Sequence, residues 1–148
     1  MCRSELLPIY IVSGKFTAEQ YRDVLSELYW PVLREKFAES HFLYIQDNSP
    51  IHRGRAVTEW LETEPAFRDA VRYLPPYSPG LNPIEHVWSR MKVMLSNRIY
   101  DSVQSLSTAV LEAWHEIGQD REFLSQVSSS CIRRLDACIE SNGGPTRY

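Results

Sequence analysis

The chain has 148 residues, of which 43% are hydrophobic and 24% charged, and this composition excludes a disordered, collagen-like or coiled-coil protein. A chain of this length supports one substantial hydrophobic core. Sixteen basic and nineteen acidic side chains give a net charge of -3, so the chain is no polycation and any contact with nucleic acid must be local.

The cysteines and the apolar segments indicate an intracellular protein. Cys2, Cys131 and Cys138 form no CxxC pair, and their odd number suits neither a disulfide framework nor a structural zinc site. The first residues lack the apolar stretch of a signal peptide, and no apolar run approaches the roughly 18 residues that span a bilayer. We therefore expect a reducing compartment and no membrane segment.

Strands and helices alternate in the first part of the chain. Three short apolar runs next to turn residues predict buried strands, at residues 7–12, 41–46 and 71–74. Helical periodicity predicts helices at about 17–37, from about residue 50, from Pro83 and from residue 103 to the end, with an interruption at the serines 128–130. Thr17 and Gln20 have capping-box spacing, and Pro31 is expected to bend the first helix. This order predicts an α/β fold with a partly parallel sheet.

Asp47 and Glu85 are the candidate catalytic residues. Asp47 follows directly on the second predicted strand, where functional groups of α/β sheets collect, and Glu85 lies in the first turn of the helix after Pro83. Hard oxygen ligands of this kind suit Mg²⁺ or Mn²⁺. Structural roles are the better interpretation of both residues at this point, because Asp47 can open the turn Asp-Asn-Ser-Pro and Glu85 can complete a capping box with Asn82.

The amino-acid sequences of two segments resemble those of a known protein family. YIQDNSPIHRGRAVTEWL and LPPYSPGLNPIEHVWSRMK closely resemble the catalytic core of the Tc/mariner superfamily of DDE transposases. In that family the aspartate of the QDN-P-H segment is the second catalytic acid and the glutamate of the PPYSP-LNPIE segment is the third. The resemblance therefore implies that Asp47 and Glu85 are catalytic residues and metal ligands.

The resemblance also implies a fold and a division of the chain. We expect an RNase H-like (DDE integrase/transposase) α/β fold that lacks its first strands and ends in helices. Residues 1–100 are expected to form a partial catalytic core and residues 101–148 a helical extension of the same domain. The ending IESNGGPTRY is similar to the family's C-terminus, so we expect the chain to be complete at its end and shortened at its start.

Two positions depart from the family pattern. The family carries its first catalytic aspartate on an upstream strand, after a helix-turn-helix region. Asp23 is the sole aspartate before Asp47, and its place within a predicted helix matches no part of that strand. Gly80 stands where the family commonly has aspartate. The chain thus retains two of three catalytic carboxylates, and we expect little or no transposase activity from it alone.

The implied chemistry is metal-dependent cleavage and strand transfer of DNA by two Mg²⁺ or Mn²⁺ ions. DNA is the expected partner and the nucleus the expected compartment, with room for a homo-oligomer and without a membrane or a small-molecule cofactor. His52, Arg53 and Lys92 are the candidate nucleic-acid contacts. A solvated helix surface explains His52 equally well and is the better interpretation for the arginines, while Arg90, Lys92 and Arg98 also suit a solubilising face.

Other residues receive structural interpretations. Trp60, Trp88 and Trp114 fall on apolar helix faces, which favours core packing over base stacking. Cys131 and Cys138 are expected to be small buried hydrophobic residues. Two alternatives to a catalytic domain stay open. One is a non-catalytic nucleic-acid-binding or protein-interaction module derived from a transposase, with an exposed sheet edge. The other is a partial gene model whose first aspartate lies upstream.

Overall fold

A computed structural model describes residues 1, 5–38 and 41–144; Cys2 and the last four residues lie outside this range. The chain forms two compact units. We call Tyr10–Ser78 the strand unit, and Met1–Ile9 together with Pro79–Tyr148 the helical unit. The expected division of the chain at residue 100 stays a prediction.

The strand unit begins with one helix of three successive segments. These are α1 (Ala18–Asp23), a π-helical segment (Val24–Tyr29) and α2 (Trp30–Lys36). Thr17 and Gln20 form the predicted capping box, with hydrogen bonds of 3.0 and 3.3 Å. The proline ring of Pro31 clashes with the carbonyl four residues earlier, and just before it the Trp30 N–H bonds to Leu25 O, five residues back. The expected irregularity at Pro31 is thus a widened helical turn.

Two parallel strands follow, β1 (Tyr44–Gln46) and β2 (Val71–Tyr73), with Tyr44 opposite Val71 and Gln46 opposite Tyr73. The connection between them contains a 3₁₀ turn (Pro50–Arg53), α3 (Arg55–Thr63) and α4 (Pro65–Ala70). The sequence predicted one helix here. Pro65 has no N–H to continue α3, and it begins α4 instead.

Phe67 is the centre of the strand unit's core. Its side chain is completely buried, and its ring lies 5.0 to 6.5 Å from the rings of four other aromatic residues, Trp30, Phe42, Tyr44 and Trp60. This cluster packs against β1, because Tyr44 belongs to that strand. The core role predicted for Trp60 is confirmed.

The strand predicted at residues 7–12 is absent from the described structure, and that prediction was wrong. These residues have no regular secondary structure. Leu7 O instead accepts a hydrogen bond of 3.0 Å from Trp114 Nε1. An apolar run becomes a strand only where a neighbouring strand pairs with its backbone groups.

The helical unit consists of a 3₁₀ turn (Pro79–Leu81), α5 (Ile84–Ser96), α6 (Val103–Gln119) and α7 (Arg121–Glu140). Its core centres on Val87, Ile117 and Leu124, one from each helix and all fully buried. The rings of Trp88 and Trp114 stack at 5.2 Å, which confirms their predicted packing role.

The serines 128–130 do not interrupt α7, contrary to the prediction. Ser129 Oγ donates to Gln126 O at 3.2 Å, and Ser130 Oγ donates to Val127 O at 2.6 Å. Because these hydroxyls bond back to their own helix, they do not compete with its backbone ladder. None of the helices in the described residues combines the length and apolar content that crossing a bilayer requires.

Candidate active site

Asp47 lies at the carboxyl end of β1, as the sequence predicted. Its Oδ1 accepts a hydrogen bond of 2.9 Å from Ser49 N and lies 2.8 Å from His52 Nδ1. The carboxylate is 63% exposed, and within the described residues both contacts end on the same oxygen. Asp47 therefore does open a turn, the structural role considered for it, while its Oδ2 remains available to a ligand.

His52 is fixed from several sides. Its Nδ1 lies near two acceptors, Asp47 Oδ1 and, at 3.3 Å, Asp47 O, so Nδ1 carries the proton. Its ring lies 4.4 Å from the ring of Tyr21, and its backbone oxygen accepts a bond of 3.2 Å from the Tyr73 hydroxyl. His52 thus connects Asp47 to the core of the strand unit.

Tyr21 anchors the last residue of β1. Its hydroxyl donates to Oε1 of the buried Gln46 at 2.5 Å. Burial, and next the neighbouring Tyr44, raise the pKa of Tyr21 well above its usual range, so the phenol remains a neutral donor. The sequence placed Tyr21 on an apolar helix face, and nothing in the spacing indicated this second role.

Arg53 has an environment unlike that of most arginines in the described structure. Its Nη2 donates to Asn48 Oδ1 at 2.6 Å, and its guanidinium lies 4.1 Å from the centre of the Tyr73 ring. Asn48 in turn donates to Leu74 O. An amide and an aromatic face therefore orient this guanidinium without neutralising its charge.

The contrast with the other arginines is clear within the described residues. Six arginines make ion pairs with carboxylates: Arg22, Arg55, Arg68, Arg90, Arg98 and Arg121. Arg53 has no carboxylate within ion-pair distance in that part of the chain. An oriented, exposed cation beside Asp47 is suited to contact a phosphate.

Glu85 is the second residue of α5 and is exposed. The helix start is formed without its side chain: Ile84 N–H bonds to Asn82 Oδ1 at 3.4 Å, and Glu85 N–H bonds to Asn82 O at 3.2 Å. No hydrogen bond or ion pair engages the Glu85 carboxylate in the described residues, so the capping box considered for it does not form.

The neighbouring residue, His86, has a lowered pKa. Burial is the larger cause, and the charge of Arg134 is the second.

The basic face expected on α5 is largely neutralised. Arg90 pairs with Asp120 at 2.7 Å and Arg98 with Glu112 at 3.7 Å. Lys92 is exposed and has no ion pair among the described residues. Arg98 lies two residues beyond the end of α5, and of the three cations Lys92 alone combines exposure with an unpaired charge in that part of the chain.

The carboxylates of Asp47 and Glu85 fit a divalent cation by their chemistry. Both are exposed, and Mg²⁺ prefers carboxylate oxygens that still leave room for water and phosphate ligands. Among the described residues, no three His, Cys, Asp or Glu side chains come together as a metal cluster. Burial raises the pKa of Cys131, so this thiol is no competing nucleophile.

Comparisons with known proteins agree on one family. The family model described as "DDE superfamily endonuclease" matches residues 1–107. The Tc3 transposase of Caenorhabditis elegans is 30% identical over 144 residues, which is 96% of this chain and 42% of the relative. The Tcb1 transposase of Caenorhabditis briggsae is 29% identical and is covered over 50% of its length. The chain thus spans about half or less of these relatives.

Solved structures give the same result. The Mos1 transposase catalytic domain, in a structure with raltegravir and Mg, superposes with a TM-score of 0.73 at 27% identity, over 90% of this chain and 67% of that one. A second structure, of the catalytic domain of Mos1 mariner transposase, gives a TM-score of 0.72 at 25% identity.

The fold is therefore RNase H-like, with few strands and a helical C-terminal part. The chain belongs to the DDE superfamily endonucleases, as a catalytic-domain sequence of the Tc/mariner transposases.

Proposed function

We propose that this chain is part of a DNA transposase in which Asp47 and Glu85 hold divalent cations, Mg²⁺ or Mn²⁺. The observation that carries the proposal is the state of Asp47. Its side chain lies at the end of β1, makes its contacts in the described residues through Oδ1 and is 63% exposed. The relatives are named transposases, and one Mos1 structure contains Mg.

The chain's own residues prepare this site. The Ser49 N–H and His52 orient Asp47 Oδ1. The Asp47 side chain therefore already has a fixed conformation when a ligand binds at Oδ2. The Tyr21 hydroxyl holds the side chain of Gln46, the residue before Asp47, by a hydrogen bond. The backbone turn at Asn82 places Glu85 at the start of α5. When bound, the cations supply charge stabilisation at the phosphate and a more acidic water or hydroxyl.

DNA contacts in this proposal are made by His52, Arg53 and Lys92. Arg53 has the strongest support, because its guanidinium is oriented and unneutralised among the described residues. The support for Lys92 is its exposed charge. The proposal includes a nuclear location, because its substrate is chromosomal DNA. It also includes assembly into a homo-oligomer.

The isolated 148-residue chain is proposed to have little or no cleavage activity. Two-metal sites depend on carboxylates that hold both ions. Asp23, the one aspartate before Asp47, ends α1 and is engaged by Arg22 at 2.6 Å. It therefore supplies no third ligand, and the chain offers two of the three acids that the family uses.

Metal binding and plasmid nicking test these two statements separately. Calorimetric titration with Mn²⁺ should show binding to the 148-residue chain that Asp47→Asn and Glu85→Gln each weaken by about tenfold or more. Glu116→Gln is the matched control, since Glu116 is also exposed on a helix of the helical unit. Absence of Mn²⁺ binding would overturn the metal-site proposal. Mn²⁺-dependent nicking that is lost in Asp47→Asn would overturn the proposed inactivity.

Fluorescence anisotropy with duplex DNA tests the role of Arg53. Arg53→Met should weaken binding and reduce the salt slope by about 1, as expected for one lost phosphate contact. Arg55→Met is the matched control, because Arg55 is two positions away and already pairs with Glu59 at 2.6 Å. Equal effects of the two substitutions would contradict a specific contact by Arg53.

A second candidate function is a non-catalytic protein-interaction module. Its support is β1, which has one partner strand in the described structure. Ile45 in this strand is 48% exposed, and Leu43 just before the strand is 62% exposed. Such a strand edge is a template for pairing with another chain. Size-exclusion chromatography with light scattering should then show self-association that Ile45→Lys abolishes. If the protein is a monomer at all concentrations, the exposed edge of β1 does not mediate self-association, and this second function is excluded.

A further inference from the structure

Arg134 is a buried charge that the proposed function does not use. It lies on α7 and is 3% exposed. Its Nε donates to Ser130 Oγ at 2.9 Å, and its Nη1 donates to Gly80 O at 2.8 Å. The guanidinium therefore ties α7 to a backbone carbonyl 54 positions earlier in the chain.

The carbonyl that Arg134 holds belongs to the turn that leads to Glu85. Gly80 is the middle residue of the 3₁₀ turn Pro79–Leu81. Asn82 N–H bonds to Pro79 O at 2.9 Å, and Glu85 N–H bonds to Asn82 O at 3.2 Å. These hydrogen bonds, together with the short backbone between them, connect the Arg134 guanidinium to the backbone of Glu85.

The remaining atoms of this cluster are also ordered. Ser130 Oγ accepts from Arg134 and donates to Val127 O at 2.6 Å within α7. A buried ionic group contributes little net stability compared with an apolar residue of similar volume, because desolvation opposes its hydrogen bonds. What the guanidinium does supply is geometry, since its planar fork fixes two acceptors at a defined separation.

We propose that Arg134 is a positioning residue that fixes the turn Pro79–Leu81 and thereby the placement of Glu85. Since the Glu85 carboxylate has no hydrogen bond or ion pair in the described residues, its location depends on its backbone. The effect on metal binding rests on the proposed function, whereas the effect on the turn does not.

Hydrogen exchange tests the positioning directly. In Arg134→Met, the amides of Asn82, Glu85 and His86 should exchange about tenfold faster or more, as expected when a charged hydrogen bond to the turn is lost. Amides in the middle of α6 should keep their rates, which shows that the unit still folds. Arg133→Met is the matched control, because Arg133 is its exposed neighbour on α7. Unchanged rates at the three amides in Arg134→Met would overturn the proposal.

Arg134→Lys gives a second, milder variant. Lysine keeps the charge and reaches one acceptor, but a single ammonium does not reproduce the fork that spans Ser130 and Gly80. Exchange rates at the turn should therefore lie between those of the wild type and Arg134→Met. A lysine variant that is no better than Arg134→Met in a folded protein would also contradict the proposal.

A double-mutant cycle on Mn²⁺ affinity tests whether Arg134 acts through Glu85. Arg134→Met should weaken Mn²⁺ binding by about tenfold in the wild-type background, and should have no further effect in Glu85→Gln. Additive losses would show that Arg134 acts elsewhere and would overturn the link. If the wild type binds no Mn²⁺, the proposed metal site fails, and the exchange rates alone decide the positioning role.

Discussion

Asp47 and Glu85 are held in place by opposite means. The Asp47 side chain is engaged by Ser49 and His52, and an aromatic core supports the strand before it. The Glu85 carboxylate has no hydrogen bond or ion pair in the described residues, so its place depends on the backbone of α5, a helix that packs through the buried Val87. Substitutions near Asp47 should therefore act through side chains, and those near Glu85 through the backbone.

The largest effect is expected from Phe67→Ala in the strand unit. Phe67 is completely buried and contacts Tyr44 of β1 at a ring distance of 5.0 Å. Loss of its ring leaves a cavity and should lower the free energy of unfolding by about 3–5 kcal/mol. Urea denaturation followed by circular dichroism measures this change.

Tyr77→Ala is the control for Phe67→Ala. Tyr77 is fully exposed, at 103%, so its truncation should change the free energy of unfolding by less than about 0.5 kcal/mol. A loss below about 1 kcal/mol for Phe67→Ala would show that the aromatic cluster does not support β1.

Tyr21→Phe should cost about 1–3 kcal/mol, because it leaves the buried Gln46 Oε1 without its donor. The effect depends on pH. Burial raises the pKa of Tyr21 above its ordinary 10.0, so the folded state retains a proton that the unfolded chain loses. The wild type is therefore expected to lose stability as pH rises above about 10, and Tyr21→Phe should lose less. Thermal unfolding across this range checks the prediction.

The exposed Tyr77 again supplies a control, as Tyr77→Phe. It should follow the alkaline profile of the wild type. Tyr44, whose pKa burial raises to about 12, keeps part of the alkaline loss in Tyr21→Phe. An unchanged profile in Tyr21→Phe would contradict the role assigned to its hydroxyl.

The smallest effect is expected at Asp120 in the helical unit. The hydrogen bond from Phe123 N, and next the one from Arg90, lower the pKa of Asp120 below its usual 3.8. The ionised form therefore stabilises the fold above that value, and this contribution is lost as pH falls through the lowered pKa. Asp120→Asn should reduce the melting temperature slightly at neutral pH and not in strong acid. Equal reductions at both pH values would contradict this.

The sequence predicted the positions that local rules determine. The Thr17 capping box, the two paired strands and the place of Asp47 at a strand end follow from short-range patterns and were confirmed. The helix break at residues 128–130 and the strand at residues 7–12 were wrong. The hydroxyls of Ser129 and Ser130 bond within α7 and leave the helix intact, and residues 7–12 have no pairing strand in the described structure. Neither feature can be recognised from residue spacing.

The candidate site was predictable to a similar depth. Motif resemblance singled out Asp47 and Glu85, whose catalytic roles stay predictions, whereas the contacts around them join distant parts of the chain. Tyr21 meets Gln46 across 25 positions, and Arg134 meets Gly80 across 54. Such pairs have no local signature, because the fold alone brings them together.

The proposal on which the others depend is that Asp47 and Glu85 are each ligands of a divalent cation. Anomalous diffraction from a crystal soaked in Mn²⁺ tests it most directly. We expect Mn²⁺ density within about 2.0–2.4 Å of a carboxylate oxygen of Asp47 and of Glu85, and loss of the density at Asp47 in Asp47→Asn. A peak bound to only one of the two carboxylates, or no peak at either, would contradict it.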